Sequence, residues 1–132
     1  MQTAVAAATV LVTMGILDAI WLVSATKCYR RELPGLLADS PSMLPAAAFY
    51  LIYAVAVVVL VVVPSLDGGR SIARVALTGG LLGLAAYGTY DRPNQATVRG
   101  WSWRGTLADL TWGTALTATV CVVAVLVARR FA

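Results

Sequence analysis

Residues 3–25 read TAVAAATVLVTMGILDAIWLVSA, and this stretch decides the fold. Its length matches the ~20 residues that an α-helix needs to cross a bilayer at 1.5 Å per residue. Lys27, Arg30 and Arg31 follow it, basic residues that hold a helix end at the lipid head groups. One carboxylate, Asp18, stands inside the run, with Trp21 three residues later. A carboxylate in hydrocarbon costs roughly 2.5–3.5 kcal/mol on insertion scales, so Asp18 is expected to face protein rather than lipid. A cleaved secretory signal would have a basic amino end and a shorter apolar core. Met1-Gln2-Thr3 carries no basic side chain, and Asp18 and Trp21 interrupt the core, so the segment is expected to remain as a span.

Three more runs repeat the pattern. Residues 44–63 are apolar and follow Ser40-Pro41, a capping hydroxyl with proline at the first helical position. Positions 55–63 are rich in β-branched residues, yet a lone strand cannot satisfy its backbone in lipid, so a helix is expected there too. Pro64 and the turn Asp67-Gly68-Gly69 are expected to end it. The third run covers 72–90, with Arg74 extending its head group back toward water, and Asp91-Arg92-Pro93-Asn94 is expected to stop it. The fourth, 105–128, lies between a loop containing Arg99, Trp101, Trp103 and Arg104 and the pair Arg129-Arg130. The two loop tryptophans have the amphipathic character of the membrane interface. After the first run, Pro34-Gly35 breaks the chain, while Tyr29, Leu33, Leu36 and Leu37 suit a short amphipathic piece. The expected fold is therefore all-α, an integral membrane four-helix antiparallel bundle forming a single transmembrane domain over residues 1–132.

Composition agrees with this class. Sixty per cent of the 132 residues are hydrophobic and 12% are charged, against roughly 25% charged in soluble domains. That leaves no length for a separate soluble domain. The net charge of +4 comes from Lys and Arg beside the apolar runs, where it sets membrane orientation rather than nucleic-acid binding. With no histidine, His-based zinc, haem and acid–base schemes are excluded, and no cofactor motif is present. Cys28 and Cys121 are too few and too distant for a disulfide framework or a metal knuckle; the first falls where its span leaves the membrane, the second inside the last span.

Small residues predict which helices approach closely. The third run carries Gly79-x-x-x-Gly83 with Ala76 and Gly80 beside it, and the fourth offers Gly113 and Thr117 at the same spacing. Such stripes let backbones meet where no hydrophobic effect drives association. Packing of the third helix on the fourth is the expected use; a homo-oligomer seam is the alternative. Orientation follows from basic residues: Lys27, Arg30, Arg31, Arg92, Arg99 and Arg104 lie on one side, Arg70, Arg74, Arg129 and Arg130 on the other. The first helix usually dominates, so the first and third loops are expected in the cytoplasm and both termini outside.

The polar and aromatic residues collect at one end of such a bundle. Asp18 and Trp21, Tyr50 and Tyr53, Tyr87 and Tyr90, and Asp109 and Trp112 are each three apart, which keeps both members of a pair on one helix face. Asp18 lies ~10 Å below the end of its helix and Asp109 ~6 Å below the start of its own, so the depths agree. The order of the pairs is a palindrome, whereas an inverted repeat would match helices one and two with three and four. No repeat is inferred. Asp18, Tyr50, Tyr53, Tyr87, Tyr90, Asp91 and Asp109 are expected to converge on one cavity facing the first and third loops, with Trp21, Trp112 and Asn94 beside it.

Several of these segments carry a resemblance. Leu17-Asp18-Ala19-Ile20-Trp21-Leu22, Leu36-Leu37-Ala38-Asp39, Leu44-Pro45-Ala46-Ala47-Ala48-Phe49-Tyr50, Ala86-Tyr87-Gly88-Thr89-Tyr90-Asp91 with Asn94-Gln95-Ala96-Thr97, and Asp109-Leu110-Thr111-Trp112-Gly113-Thr114 together resemble the signature of the membrane protein family called domain of unknown function 2177. The resemblance covers nearly the whole chain. Pro93 departs from it, standing where the family pattern has threonine, so a hydroxyl and a backbone donor are both missing there. What the resemblance implies is a bacterial multi-pass protein of the cytoplasmic (inner) membrane, with no reaction attached.

Three functions fit these residues. The first is binding or transport of a small or lipid-like molecule, with Asp18, Asp91 and Asp109 supplying charge, Asn94 a hydrogen-bonding edge, and Trp21, Tyr50, Tyr53, Tyr87, Tyr90 and Trp112 the walls. The second is a structural or assembly subunit of a membrane complex. The third is a membrane enzyme of lipid modification in which paired aspartates act as general acid and base, although no nucleophile motif supports it. An oxygen-only Mg or Ca site from the three aspartates is limited by ligand count, and no metal is expected.

Overall fold

The computed structural model describes residues 1–32 and 43–132. Four helices alternate in direction: α1 Gln2–Glu32, α2 over 43–67, α3 Ile72–Thr97 and α4 Trp103–Arg129, with no strand among the described residues. Each contains a stretch long and apolar enough to cross a membrane. Pro34-Gly35, the apolar residues Leu33, Leu36 and Leu37, Ala38-Asp39 and the Ser40-Pro41 cap lie outside the described residues, as do the side chains of Cys28 and Tyr29.

Three helices outrun their sequence-based limits, each for a local reason. α1 continues past Ala25 to Glu32. Lys, Arg and Glu are good helix formers, and basic residues near a helix end complement its dipole. At 31 residues it is about 46 Å long, well over the ~30 Å of a hydrocarbon core. α2 passes through Pro64 instead of stopping before it. Met43–Val57 is α-helical, Val58–Val62 widens into a π turn, and Val63–Asp67 resumes the α form. The wider turn bonds the Val63 N–H to the Val58 carbonyl, just before a proline that has no N–H and whose ring would crowd a regular turn. Ser65 then donates its hydroxyl to the Val61 carbonyl at 2.6 Å. The helix ends at Asp67; Gly69 beyond it has a φ of 59°, the left-handed region glycine favours, and Arg70 N–H closes back onto the Ser65 carbonyl.

α3 likewise runs beyond Tyr90 to Thr97, with Pro93 inside it. An internal proline costs about 3 kcal/mol. A set of side-chain bonds beyond it holds the extra turn: Gln95 accepts from the Thr106 hydroxyl at 3.0 Å and donates to the Trp101 carbonyl at 3.2 Å, and the Trp101 indole donates to Thr106 at 3.0 Å. The loop between α3 and α4 is thereby tied to both helices. Ser71 caps α3 and Ser102 caps α4, which starts two residues before the expected Gly105.

α4 is the hub. Its buried face runs through Thr106, Leu110, Gly113, Thr117, Cys121, Ala124 and Ala128. Against it lies the small-residue face of α3: a methyl group added at Gly79 would meet Cys121 Sγ at 2.9 Å, and one at Gly83 would overlap the Gly113 carbonyl and meet Thr117 Oγ1 at 2.7 Å. These glycines are used within the chain, as close helix approach requires. α1 packs on α4 through Ala6, Val10 and Met14, spaced four apart, while Val12, Ile16 and Val23 face outward. α2 is held only by its carboxyl half. Val57, Val58, Val61, Val62 and Ser65 are buried, whereas residues 44–49 are exposed.

Candidate functional site

Because the amino half of α2 stands off the bundle, a fissure opens on each of its flanks. One, of about 410 Å³, lies between α1 and α2: Asp18, Trp21 and Met14 come from α1, Phe49, Tyr50 and Tyr53 from α2, and Tyr87 and Asp109 form its floor. The other, of about 570 Å³, lies between α2 and α3 and is lined by Phe49, Ala86, Tyr87, Thr89, Tyr90 and Asp109. Phe49, Tyr87 and Asp109 belong to both. Asp18 and Asp109, 91 residues apart in the chain, therefore open onto one hollow.

Each side chain is set by its helix. Asp18 continues the inward stripe Ala6, Val10, Met14 by one further step of four, so the α1 face that packs on α4 carries the carboxyl with it. It lies beside the Trp112 indole, whose nitrogen is buried and closes no hydrogen bond among the described residues. Trp21 and Trp112 stack in parallel, 4.7 Å between centroids and 8° between planes. Tyr53 is buried and its hydroxyl pairs with Thr117 at 2.6 Å. Its ring meets Tyr87 edge to face at 6.3 Å and stacks on Phe49 at 5.4 Å. Tyr50 donates its hydroxyl to the Leu11 carbonyl. Gly15 makes this reachable, since a methyl there would lie 3.0 Å from the tyrosine oxygen. Tyr87 sits on Gly113, where any Cβ would strike its ring.

The expected convergence is incomplete. Asp18, Tyr50, Tyr53, Tyr87 and Asp109 share the first fissure, and Tyr90 lines only the second, 60% exposed and edge-on to Trp101. Asp91 and Asn94 line neither. The reason is the unbroken helix. With α3 continuing through Pro93, Asp91 falls on the stripe Tyr87, Asp91, Gln95 that faces α4, and it is 1% exposed with Oδ2 unpartnered among the described residues. Trp112 lines a separate hollow of about 390 Å³ on the far side of Trp21. No three of the Asp, Glu, Cys or His side chains come together among the described residues. Phe49 and Met14 were not singled out beforehand. Phe49 is four residues before Tyr53 and Met14 four before Asp18, so the same-face rule that marked the polar pairs also marks them.

With this geometry in place, comparison with known families is informative. The family described as "Predicted membrane protein (DUF2177)" matches residues 3–126. The chain belongs to that family. No curated protein and no solved structure matches the chain. It is a multi-pass membrane protein, embedded in a lipid bilayer through four apolar helices.

Proposed function

We propose that this protein binds or transports a small or lipid-like molecule in the fissures flanking the amino half of α2. One observation carries this: two carboxyl groups, Asp18 and Asp109, open onto a hollow walled by Phe49, Tyr50, Tyr53 and Tyr87 instead of being sealed into a knot. Tyrosine–threonine and tyrosine–carbonyl bonds tie the helices together around the hollow without filling it. Both mouths lie beside outward-facing apolar residues such as Leu22 and Phe49, so entry from the bilayer needs no passage through water. The setting we propose is a bacterial cytoplasmic membrane, with the first and third loops on the cytoplasmic side.

Native mass spectrometry of the full chain, extracted in a mild detergent, tests this. A discrete lipid or metabolite adduct is expected on the wild type and is lost in Asp109→Asn at equal protein yield. A stoichiometric protein partner with no adduct would support an assembly role in its place. A lipid profile that changes in cells lacking the protein, and is restored by the wild type but not by Asp109→Asn, would support lipid modification.

A further inference from the structure

Resting on that binding reading, we propose that the fissure between α1 and α2 takes an ammonium group, carried by an amphiphile whose tail leaves toward the bilayer between the two helices. Hydrogen-bonding capacity is the first argument. An anionic or carbonyl head group needs donors, and two of the three tyrosine hydroxyls here are engaged: Tyr50 donates to Leu11, Tyr53 is paired with Thr117, and the described lining residues include no Lys or Arg. What else lines the hollow are the carboxyl groups of Asp18 and Asp109 and the faces of aromatic rings.

Those rings are the second, independent argument. Trp21 is stacked on Trp112, and Phe49, Tyr53 and Tyr87 form a stacked and edge-on series on the opposite wall. Aromatic faces attract ammonium groups through the ring quadrupole, and more strongly where water is excluded. Carboxyl groups flanked by such faces suit a cation better than a neutral hydroxyl. Shape adds the tail. Leu22, Ala46 and Phe49 form the mouth, and each is exposed on the outer surface of its helix.

The test uses the full chain in a non-ionic maltoside detergent at neutral pH. Dodecylammonium, dodecanol and dodecanoate, which share one tail, are titrated by native mass spectrometry and calorimetry. The ammonium is expected to bind about tenfold tighter than the alcohol, with the carboxylate weakest. Asp18→Asn should weaken the ammonium several-fold toward the alcohol's affinity, and an unchanged circular-dichroism spectrum and thermal midpoint report that the variant is folded. Butylammonium should fail to compete; strong competition would overturn the amphiphile part and assign the site to a free amine. Equal binding of ammonium and alcohol by the wild type would overturn the choice of cation while leaving a binding hollow. Saturable binding of none of these probes would overturn both. If Asp18→Asn does not fold, the wild-type series alone decides.

Discussion

Gly83→Ala should loosen the bundle where it is tightest. An alanine methyl at this position would overlap the carbonyl oxygen of Gly113 and lie 2.7 Å from Thr117 Oγ1, where ordinary contact begins at 3.4 Å. The first of these is helix backbone, which cannot rotate away, so α3 and α4 must separate. Overpacking of this kind costs about 1–3 kcal/mol, offset by at most ~1 kcal/mol of helix propensity gained over glycine. Because the obstruction is backbone and the shift also strains the Tyr53–Thr117 bond, a net loss of about 2 kcal/mol is expected. For a chain of this size that lowers the thermal midpoint by roughly 5–10 °C. Gly80→Ala is the internal control: its methyl would meet Thr114 Cγ2 at 3.5 Å, an ordinary contact, and should be neutral or slightly stabilising. Unfolding is followed by circular dichroism of both variants in the same detergent. If Gly83→Ala melts within about 1 °C of the wild type, or if Gly80→Ala falls equally far, the helices do not meet in this register and the reasoning fails.

Further outcomes follow from other contacts. Tyr53→Phe removes the hydroxyl paired with Thr117 and should cost about 0.6 kcal/mol and at most ~1.7, the average and maximum for interhelical hydrogen bonds in membranes; adding Thr117→Val should then cost less than it does alone, and an additive pair would show that the bond contributes nothing. Pro93→Thr restores a backbone donor inside α3 at an exposed position and should raise the thermal midpoint by several degrees; an unchanged or lower midpoint would mean that the proline stiffens the chain usefully. A reporter that is active only outside the cytoplasm should be active when fused after Ala132, given the basic residues in the last turns of α1 and none in its first. Activity only as a cytoplasmic reporter would reverse the topology.

The four spans were legible because lipid permits few alternatives: a long apolar run must satisfy its own backbone, so residues 44–63 had to be helical despite their β-branched content. Helix ends were less legible. Pro64 and Pro93 read as stops, and both are passed, one by a π turn and one by side-chain bonds from Gln95 and Trp101, neither of which has a local sequence signal. That miss carried into the site. A helix that ended at Asp91 would leave its direction open; the continuous helix turns it toward α4, away from Asp18 and Asp109. For Asp18, Tyr50, Tyr53, Tyr87 and Asp109 the helix face is legible in the sequence, because each sits within a regular helix where spacing fixes the face.

Residue size explains why the hollow lies beside α2. Where α3 meets α4, the facing residues include Gly79, Gly83 and Gly113, and the backbones come close enough that a methyl at Gly83 would overlap the Gly113 carbonyl. α2 brings Tyr50 and Tyr53 to its inner face over the corresponding depth, with Phe49 at its edge and Gly15 opposite Tyr50. Rings of that size hold a helix off its neighbours, and their hydroxyls, anchored on Leu11 and Thr117, fix how far. Lower down, the valines at 57, 58, 61 and 62 are small enough to pack, so the same helix closes onto the core. The fissures are thus the geometric remainder of a helix that is aromatic at one end and aliphatic at the other. The carboxyl groups of Asp18 and Asp109 lie at the aromatic end, where space and ring faces make a charged group in the membrane tolerable.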